Sequence, residues 1–183
     1  MATVVSLSGS PSSVSRTTAL LRHVDGLLVA RGHEVVPLEA RGLPAEALLR
    51  ADTLHPAIAE VIGLVERSDA VVVGTPVYKA AYSGLLKVLL DVLPQHALDG
   101  KAVLPLATGG TTAHVLAIDY ALRPVLASMG AAHIAPGWFT LDKDIALDAG
   151  GGAVLAEKSA QAIERLAVRF SDVLDTRTPA VVS

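Results

Sequence analysis

Hydroxyl side chains crowd the segment from Ser8 to Thr18. Ser8, Ser10, Ser12, Ser13, Ser15, Thr17 and Thr18 lie there with a single cation, Arg16. A β-branched apolar run, Thr3 to Leu7, precedes them. An apolar repeat at Leu20, Leu21, Val24, Leu27 and Leu28 follows, so the segment turns from a strand into a helix. A helix start offers free backbone N–H groups and the positive end of a dipole, which together suit a phosphate. One or two of these residues would be ordinary helix caps; this many on one turn favour an anion site, to which Arg16 adds a full charge.

Two more loops repeat that placement. Thr75-Pro76-Val77-Tyr78-Lys79 follows the apolar run Ala70 to Val73, with Tyr82 and Ser83 close behind. Thr108-Gly109-Gly110-Thr111-Thr112 follows Ala102 to Ala107. Tyr78 and Lys79 suit the face and edge of a flat ring, and Gly109 and Gly110 permit close backbone approach. Taken alone, Tyr78 would read as a packing residue and Lys79 as a solvated charge; their setting between two candidate ligand loops favours a ligand. His114 either faces the ring or caps the next helix. A phosphate joined to a flat ring points to flavin mononucleotide (FMN). Competing motifs are absent: there is no G-x-G-x-x-G, no G-x-x-x-x-G-K and no G-x-S-x-G elbow. Ser8 stands where a receiver domain needs a carboxylate, and without cysteine there is no thiol phosphatase.

The elements that must hold these loops are legible from periodicity. Glu34 to Leu38 is a second strand, confined to a sheet edge by Pro37. A helical turn is expected around Ala45 to Arg50. Pro56 opens a helix with Ile58, Val61, Ile62 and Val65 on one face. Leu85, Leu86, Leu89 and Leu90 mark another, closed by Pro94. Pro105 predicts an irregularity in the fourth strand, Ala102 to Ala107. Thr112 to Leu126 reads as a helix whose stripe is Val115, Ile118, Leu122, Val125 and Leu126. A fifth strand is expected within Ala131 to Phe139, a loop over Asp142 to Gly152, and a final helix carrying Leu155, Ile163, Leu166, Phe170 and Val173. Strands alternating with helices predict an α/β doubly wound, five-stranded parallel sheet of flavodoxin-like order 2-1-3-4-5, with helices on both faces. In such sheets ligands bind outside the carboxyl ends of the strands. Residues 1–175 are expected to form one FMN-binding domain and residues 176–183 a flexible tail.

Composition narrows the function classes. The 183 residues are 51% hydrophobic, 3% aromatic and 18% charged, with a formal net charge of −3. No basic stripe exists to follow a nucleic acid. The charge is small for an electron carrier that docks by electrostatic steering. With no cysteine there is no disulfide or thiolate metal site, and the five histidines other than His114 show no metal-ligand spacing. No apolar run reaches the length of a membrane span, and no basic leader precedes the first strand. A soluble, cytoplasmic protein is expected.

The chain resembles the flavodoxin-like NAD(P)H-dependent FMN reductases, most closely those serving two-component alkanesulfonate monooxygenases. The resemblance is carried by Ser8-Gly9-Ser10-Pro11, Ser15-Arg16, Thr75 to Gly84, Leu104 to Thr111, Ala113-His114 and Asp119-Tyr120-Ala121-Leu122, and it spans roughly residues 3–135. It implies that the first loop binds the FMN phosphate and that the second and third bracket the isoalloxazine ring. The candidate contacts are Ser8, Ser10, Ser13, Ser15, Arg16, Thr17, Thr18, Pro76, Val77, Tyr78, Lys79, Ser83, Thr108, Gly109, Gly110, Thr111 and His114. It also implies a homo-oligomer, a tetramer, and a π-bulge at Tyr120 that controls flavin transfer beside a subunit interface. Helical projection alone allows another reading of Tyr120: an ordinary exposed residue, with Asp119 pairing to Arg123 one turn on.

The implied activity is reduction of FMN by NADPH or NADH, with reduced FMN leaving for a monooxygenase partner. The cofactors supply the chemistry, so no protein acid or base is required. Two alternatives stand beside it: a quinone or azo reductase holding FMN tightly, and a non-enzymatic flavodoxin-like carrier.

Overall fold

The computed structural model describes residues 1–177. From the amino end, β1 (Thr3–Ser8) leads into α1 (Arg16–Ala30), β2 (Glu34–Glu39), α2 (Ala45–Leu49), α3 (Pro56–Arg67) and β3 (Ala70–Tyr78). A short return strand, β4 (Ala81–Tyr82), precedes α4 (Gly84–Asp91) and β5 (Ala102–Gly109). Then come α5 (Arg123–Ser128), β6 (His133–Ile134), β7 (Trp138–Leu141), β8 (Ile145–Leu147), β9 (Ala153–Leu155) and α6 (Glu157–Arg177).

The sheet runs β2-β1-β3-β5, with β6 and β7 sharing the fifth position against β5, and all of these pairings are parallel. This is the flavodoxin-like order 2-1-3-4-5, with β5 as the fourth strand because β4 only folds back on the end of β3. Alternate residues of the central strands serve two cores. Val5, Leu7, Val71, Val73 and Val103 pack with Ile58 of α3, Leu86 and Leu89 of α4 and Leu126 of α5. Val4, Val72, Leu104 and Leu106 pack with Leu20, Val24 and Leu28 of α1 and Ile163 and Phe170 of α6. A sheet covered on both faces explains the unbroken apolar runs Val71 to Val73 and Ala102 to Ala107.

Register brings the three loops to one edge. Ser8 pairs with Gly74, and Pro76 pairs with Thr108, so all three strands end side by side. Pro37 lies in the edge strand β2, where its missing N–H can face outward. The irregularity expected at Pro105 falls on its neighbour instead. Strand β5 pairs continuously with β3 through Pro105, but on its other side β6 meets only Ala102 and Val103, and β7 starts opposite Leu106. Having no N–H to donate, Pro105 splits the fifth strand in two.

Several local expectations need correction. The predicted helix Thr112 to Leu126 is a 3-10 turn (Thr112–His114), a π-helical turn (Ile118–Leu122) and then α5. In a continuous α-helix the Pro124 ring would meet the carbonyl of Tyr120; the wide turn places Pro124 in the first turn of α5, where no N–H is missed. Val115, assigned to the buried stripe, is 48% exposed because it precedes the helical segment. The segment Asp142 to Gly152 contains β8, which pairs antiparallel with β9 and adds the buried Ile145 to the core beneath α1 and α6. Leu155 therefore lies in β9 and not in the final helix. That helix continues to Arg177, past the expected boundary at Asp175; the rest of the predicted tail, residues 178–183, lies outside the described residues. Among the described residues, no helix is long and apolar enough to cross a membrane.

Candidate functional site

The first loop is held from below. Gly9 donates its N–H to the Gly74 carbonyl at 2.8 Å, and its own carbonyl accepts from Ser83 Oγ at 2.6 Å. Ser83 also caps α4 by accepting from the Leu86 N–H, and its N–H donates to Thr75 Oγ1. Ser8 Oγ pairs with Thr18 Oγ1 at 2.8 Å, and Ser10 Oγ accepts from the Ser12 N–H. Ser15 caps α1 by accepting from the Thr18 N–H. Thr17 Oγ1 and Thr108 Oγ1, both buried, lie 2.6 Å apart and tie the first loop to the third.

What remains on top is a pocket of about 180 Å³ to which all three loops contribute. Ser10, Ser15, Arg16 and Thr17 line it from the first loop, Pro76, Val77 and Tyr78 from the second, and Thr108, Gly109 and Gly110 from the third. Ser12, Val14 and Asp142 line it as well. The other candidates stand apart. Ser8, Thr18 and Ser83 are buried with internal partners, so their hydroxyls build the scaffold and do not reach the pocket. Ser13, exposed, lends the loop its backbone but no side chain to the lining. Lys79 is exposed with φ at 50°, part of the tight reversal between β3 and β4, and is absent from the lining. Thr111 caps the 3-10 turn by accepting from the Ala113 N–H, and His114, half-buried, is absent from the lining.

The donor set suits a phosphate. Ser13, Val14, Ser15, Arg16 and Thr17 present five successive backbone N–H groups with no acceptor among the described residues. Such groups at a helix start are left for solvent or a ligand. The guanidinium of Arg16 is split between duties: Nε donates to the Ile145 carbonyl at 3.2 Å, and the terminal nitrogens keep no partner among the described residues. Tying Arg16 to β8 was not legible in sequence, because β8 itself was not.

The ring side is equally open. Tyr78 is half exposed at 50%. A Cβ at Gly110 would meet nothing nearer than Asp142 Oδ2 at 3.8 Å, so its backbone is bare to the pocket. A Cβ at Gly109 would lie 3.0 Å from the Phe139 ring, which fixes the third loop tightly on β7. These residues fit FMN: unpaired donors for the phosphate, an exposed aromatic and bare backbone for the ring. Three lining residues were not candidates: Ser12 and Val14 belong to the first loop, whereas Asp142 lies outside all three loops. It lies one residue beyond β7, and only the pairing of Leu141 with Gly109 brings it to the rim.

The π-helical turn at Ile118–Leu122 agrees with the bulge reading of Tyr120, which is 78% exposed beside the exposed Leu116. The alternative ion pair also exists: Arg123 Nε donates to Asp119 Oδ1 at 3.0 Å. Arg123 further holds the carbonyls of Ile134 and Ala135, at the break in the fifth strand. The two readings are therefore compatible.

Residues 2–146 match the family described as NADPH-dependent FMN reductase. An FMN reductase (NADPH) of Pseudomonas putida is 46% identical over 94% of this chain and 85% of its own. An NADH-dependent FMN reductase, SfnE, also from Pseudomonas putida, is 34% identical over 91% of each chain. Among solved structures, the apo form of an NADH:FMN oxidoreductase (EMOB) superposes with a TM-score of 0.86 at 38% identity, covering 94% of this chain and 90% of the other.

Proposed function

We propose, proceeding from the fact that this chain belongs to the NADPH-dependent FMN reductase family, that it hands reduced FMN to a separate monooxygenase. It is an NAD(P)H:FMN oxidoreductase of flavodoxin-like fold, using FMN and NAD(P)H. When bound, FMN would accept two electrons from the reduced nicotinamide, a transfer that requires no protein acid or base. Its residues bind and orient. The N–H groups of Ser13 to Thr17 would anchor the phosphate end, and the bare backbone of Gly110 would let the ring approach the third loop closely. Tyr78 would cover the ring and exclude water there.

The observation that carries release over retention is the charge of the pocket. Its single cation, Arg16, is shared with the Ile145 carbonyl, while Asp142 places a carboxylate in the same wall. A dianionic phosphate so held relies on neutral donors and works against one like charge. Flavin then exchanges readily, as a substrate must. The test is NADPH oxidation followed at 340 nm with and without added FMN. Turnover is expected to depend on added FMN in protein that is colourless as purified. A yellow protein whose turnover ignores added FMN would instead support a tightly bound flavin serving a quinone or azo substrate.

The receiving enzyme is proposed to be of the alkanesulfonate type, on the residues from Ser8 to Leu122 that carry that resemblance. Copies of the chain are proposed to meet around Leu116 and Tyr120, an exposed apolar pair on the π-helical side of the site, in a homo-oligomer (a tetramer by the same resemblance). Exposed aromatics of this kind anchor subunit contacts. On this reading Tyr120→Ala slows turnover with free FMN severalfold or leaves flavin bound through purification. Unchanged kinetics, flavin content and gel-filtration mass would remove Tyr120 from the proposal.

A further inference from the structure

A second and larger depression, about 590 Å³, lies between β7 and the first turns of α6. It is lined by Trp138, Phe139 and Leu141 of β7, by Val115, and by Lys158, Ala162 and Arg165, which share one face of α6. Thr112, Asp144 and Ser159 complete it. This volume falls in the range of small-ligand sites and accommodates a nucleoside phosphate. The depression adjoins the rim pocket through two stretches of chain. Gly110 faces the rim and Thr112 the groove; Asp142 faces the rim, while Leu141 and Asp144 on either side face the groove.

Its chemistry is specific. Trp138, 36% exposed at the start of an edge strand, offers an aromatic face for a flat base. Lys158 and Arg165 are exposed, and neither has a carboxylate partner among the described residues. Asp144 opposes them, but its Oδ2 accepts from Ser159 at 3.5 Å, and two free cations outweigh one engaged carboxylate. A carboxylate alone would favour a ribose 2′-hydroxyl, whereas an arginine accommodates a 2′-phosphate.

We propose that this groove takes the adenosine end of the reduced dinucleotide, with adenine against Trp138 and the 2′-phosphate on Lys158 and Arg165, so that these two residues select NADPH over NADH. The assignment rests on the reductase reading, from which it inherits a dinucleotide reaching over the third loop from the rim. Relatives of both nucleotide preferences exist, so membership of the family leaves the choice open.

Trp138 is the only tryptophan of the chain, so fluorescence excited selectively from tryptophan reports on the groove. Flavin-free protein is titrated with adenosine 2′-monophosphate, adenosine 5′-monophosphate and inorganic phosphate. Saturable quenching by the 2′-phosphate is expected, about tenfold tighter than by the 5′-isomer, the effect of one or two charge-assisted hydrogen bonds. Lys158→Gln/Arg165→Gln, two exposed positions whose folding is checked by circular dichroism, should abolish that preference. With FMN supplied, the same variant should raise the KM for NADPH about tenfold relative to the KM for NADH. Absence of saturable quenching, or an equal response to all three titrants, overturns the assignment. So does a variant that changes gel-filtration mass while nucleotide quenching persists, which would make the groove a contact between copies. Failure of the reductase reading would show separately, as nucleotide quenching without FMN-dependent oxidation of NADPH.

Discussion

Replacing Gly9 by alanine is expected to lower stability by roughly 1–3 kcal/mol, the usual range for overpacking, and to weaken FMN binding about tenfold or more. A Cβ at this position would lie 2.5 Å from Leu86 Cβ and 3.3 Å from Leu86 Cα. Neither atom is the free end of a flexible side chain, so either α4 or the first loop must move. Gly9 is also bonded on both sides, to the Gly74 carbonyl and to Ser83 Oγ, and Ser83 caps α4. Displacement therefore spreads to the helix and to the five N–H groups downstream that are proposed to hold the phosphate. Urea unfolding measures the first effect, and FMN titration by flavin fluorescence measures the second. Gly26→Ala is the control. Its Cβ would meet nothing within 4 Å on α1, so helix propensity alone should stabilise that variant by up to about 1 kcal/mol without touching flavin affinity. Equal behaviour of the two variants would show that the loop yields freely and that contact with Leu86 does not fix it.

The second large effect concerns an acid outside the site. Asp25 of α1 faces β1 beside Ser6, and burial pushes its carboxyl up from 3.8 to about 6, against opposing influences from Ser6 and Arg22. Ser6 Oγ and Asp25 Oδ1 are both buried without a hydrogen-bond partner, and desolvation of the carboxyl outweighs both opposing influences. An acid whose carboxyl titrates higher in the folded chain than in the unfolded one binds its proton more tightly when folded. Its contribution is full below about pH 4, declines as pH rises through the window from 3.8 to about 6, and is lost above it. At about 1.4 kcal/mol per pH unit, ionised Asp25 lowers stability at neutral pH by up to about 3 kcal/mol. Asp25→Asn is therefore expected to be more stable than the parent at pH 7.5, with the advantage shrinking as pH falls through 6 toward 4. Urea midpoints across that range measure the difference. A gap that does not change with pH would show that the carboxyl is solvated in the folded chain.

Much of this molecule follows from residue order. The central strands are apolar at every position from Val71 to Val73 and again from Ala102 to Leu104, which demands a sheet covered on both faces. Pro37 confined β2 to an edge, and hydroxyl density after β1 marked the loop that became one wall of the pocket. These are local signals: side-chain periodicity, the missing N–H of proline and the capping chemistry of serine and threonine act within a few residues. Burial of alternate faces then leaves few ways to assemble them.

Other features depend on partners far along the chain. Ser8, Ser83 and Thr18 look like ligand residues by type, yet register buries them as supports, because a hydroxyl bonds whatever acceptor the fold brings near. Asp142 enters the pocket only through the pairing of β7 with β5. Arg16 loses part of its guanidinium to Ile145, 129 residues away. The split of the fifth strand opposite Pro105, the wide turn before Pro124 and the hairpin of β8 and β9 likewise arise where local preferences meet non-local packing. Residue types along the chain determined the fold class and the three loops at its rim. Tertiary structure decided which of their atoms remain unpaired, since hydrogen-bond satisfaction is settled in space and not in sequence.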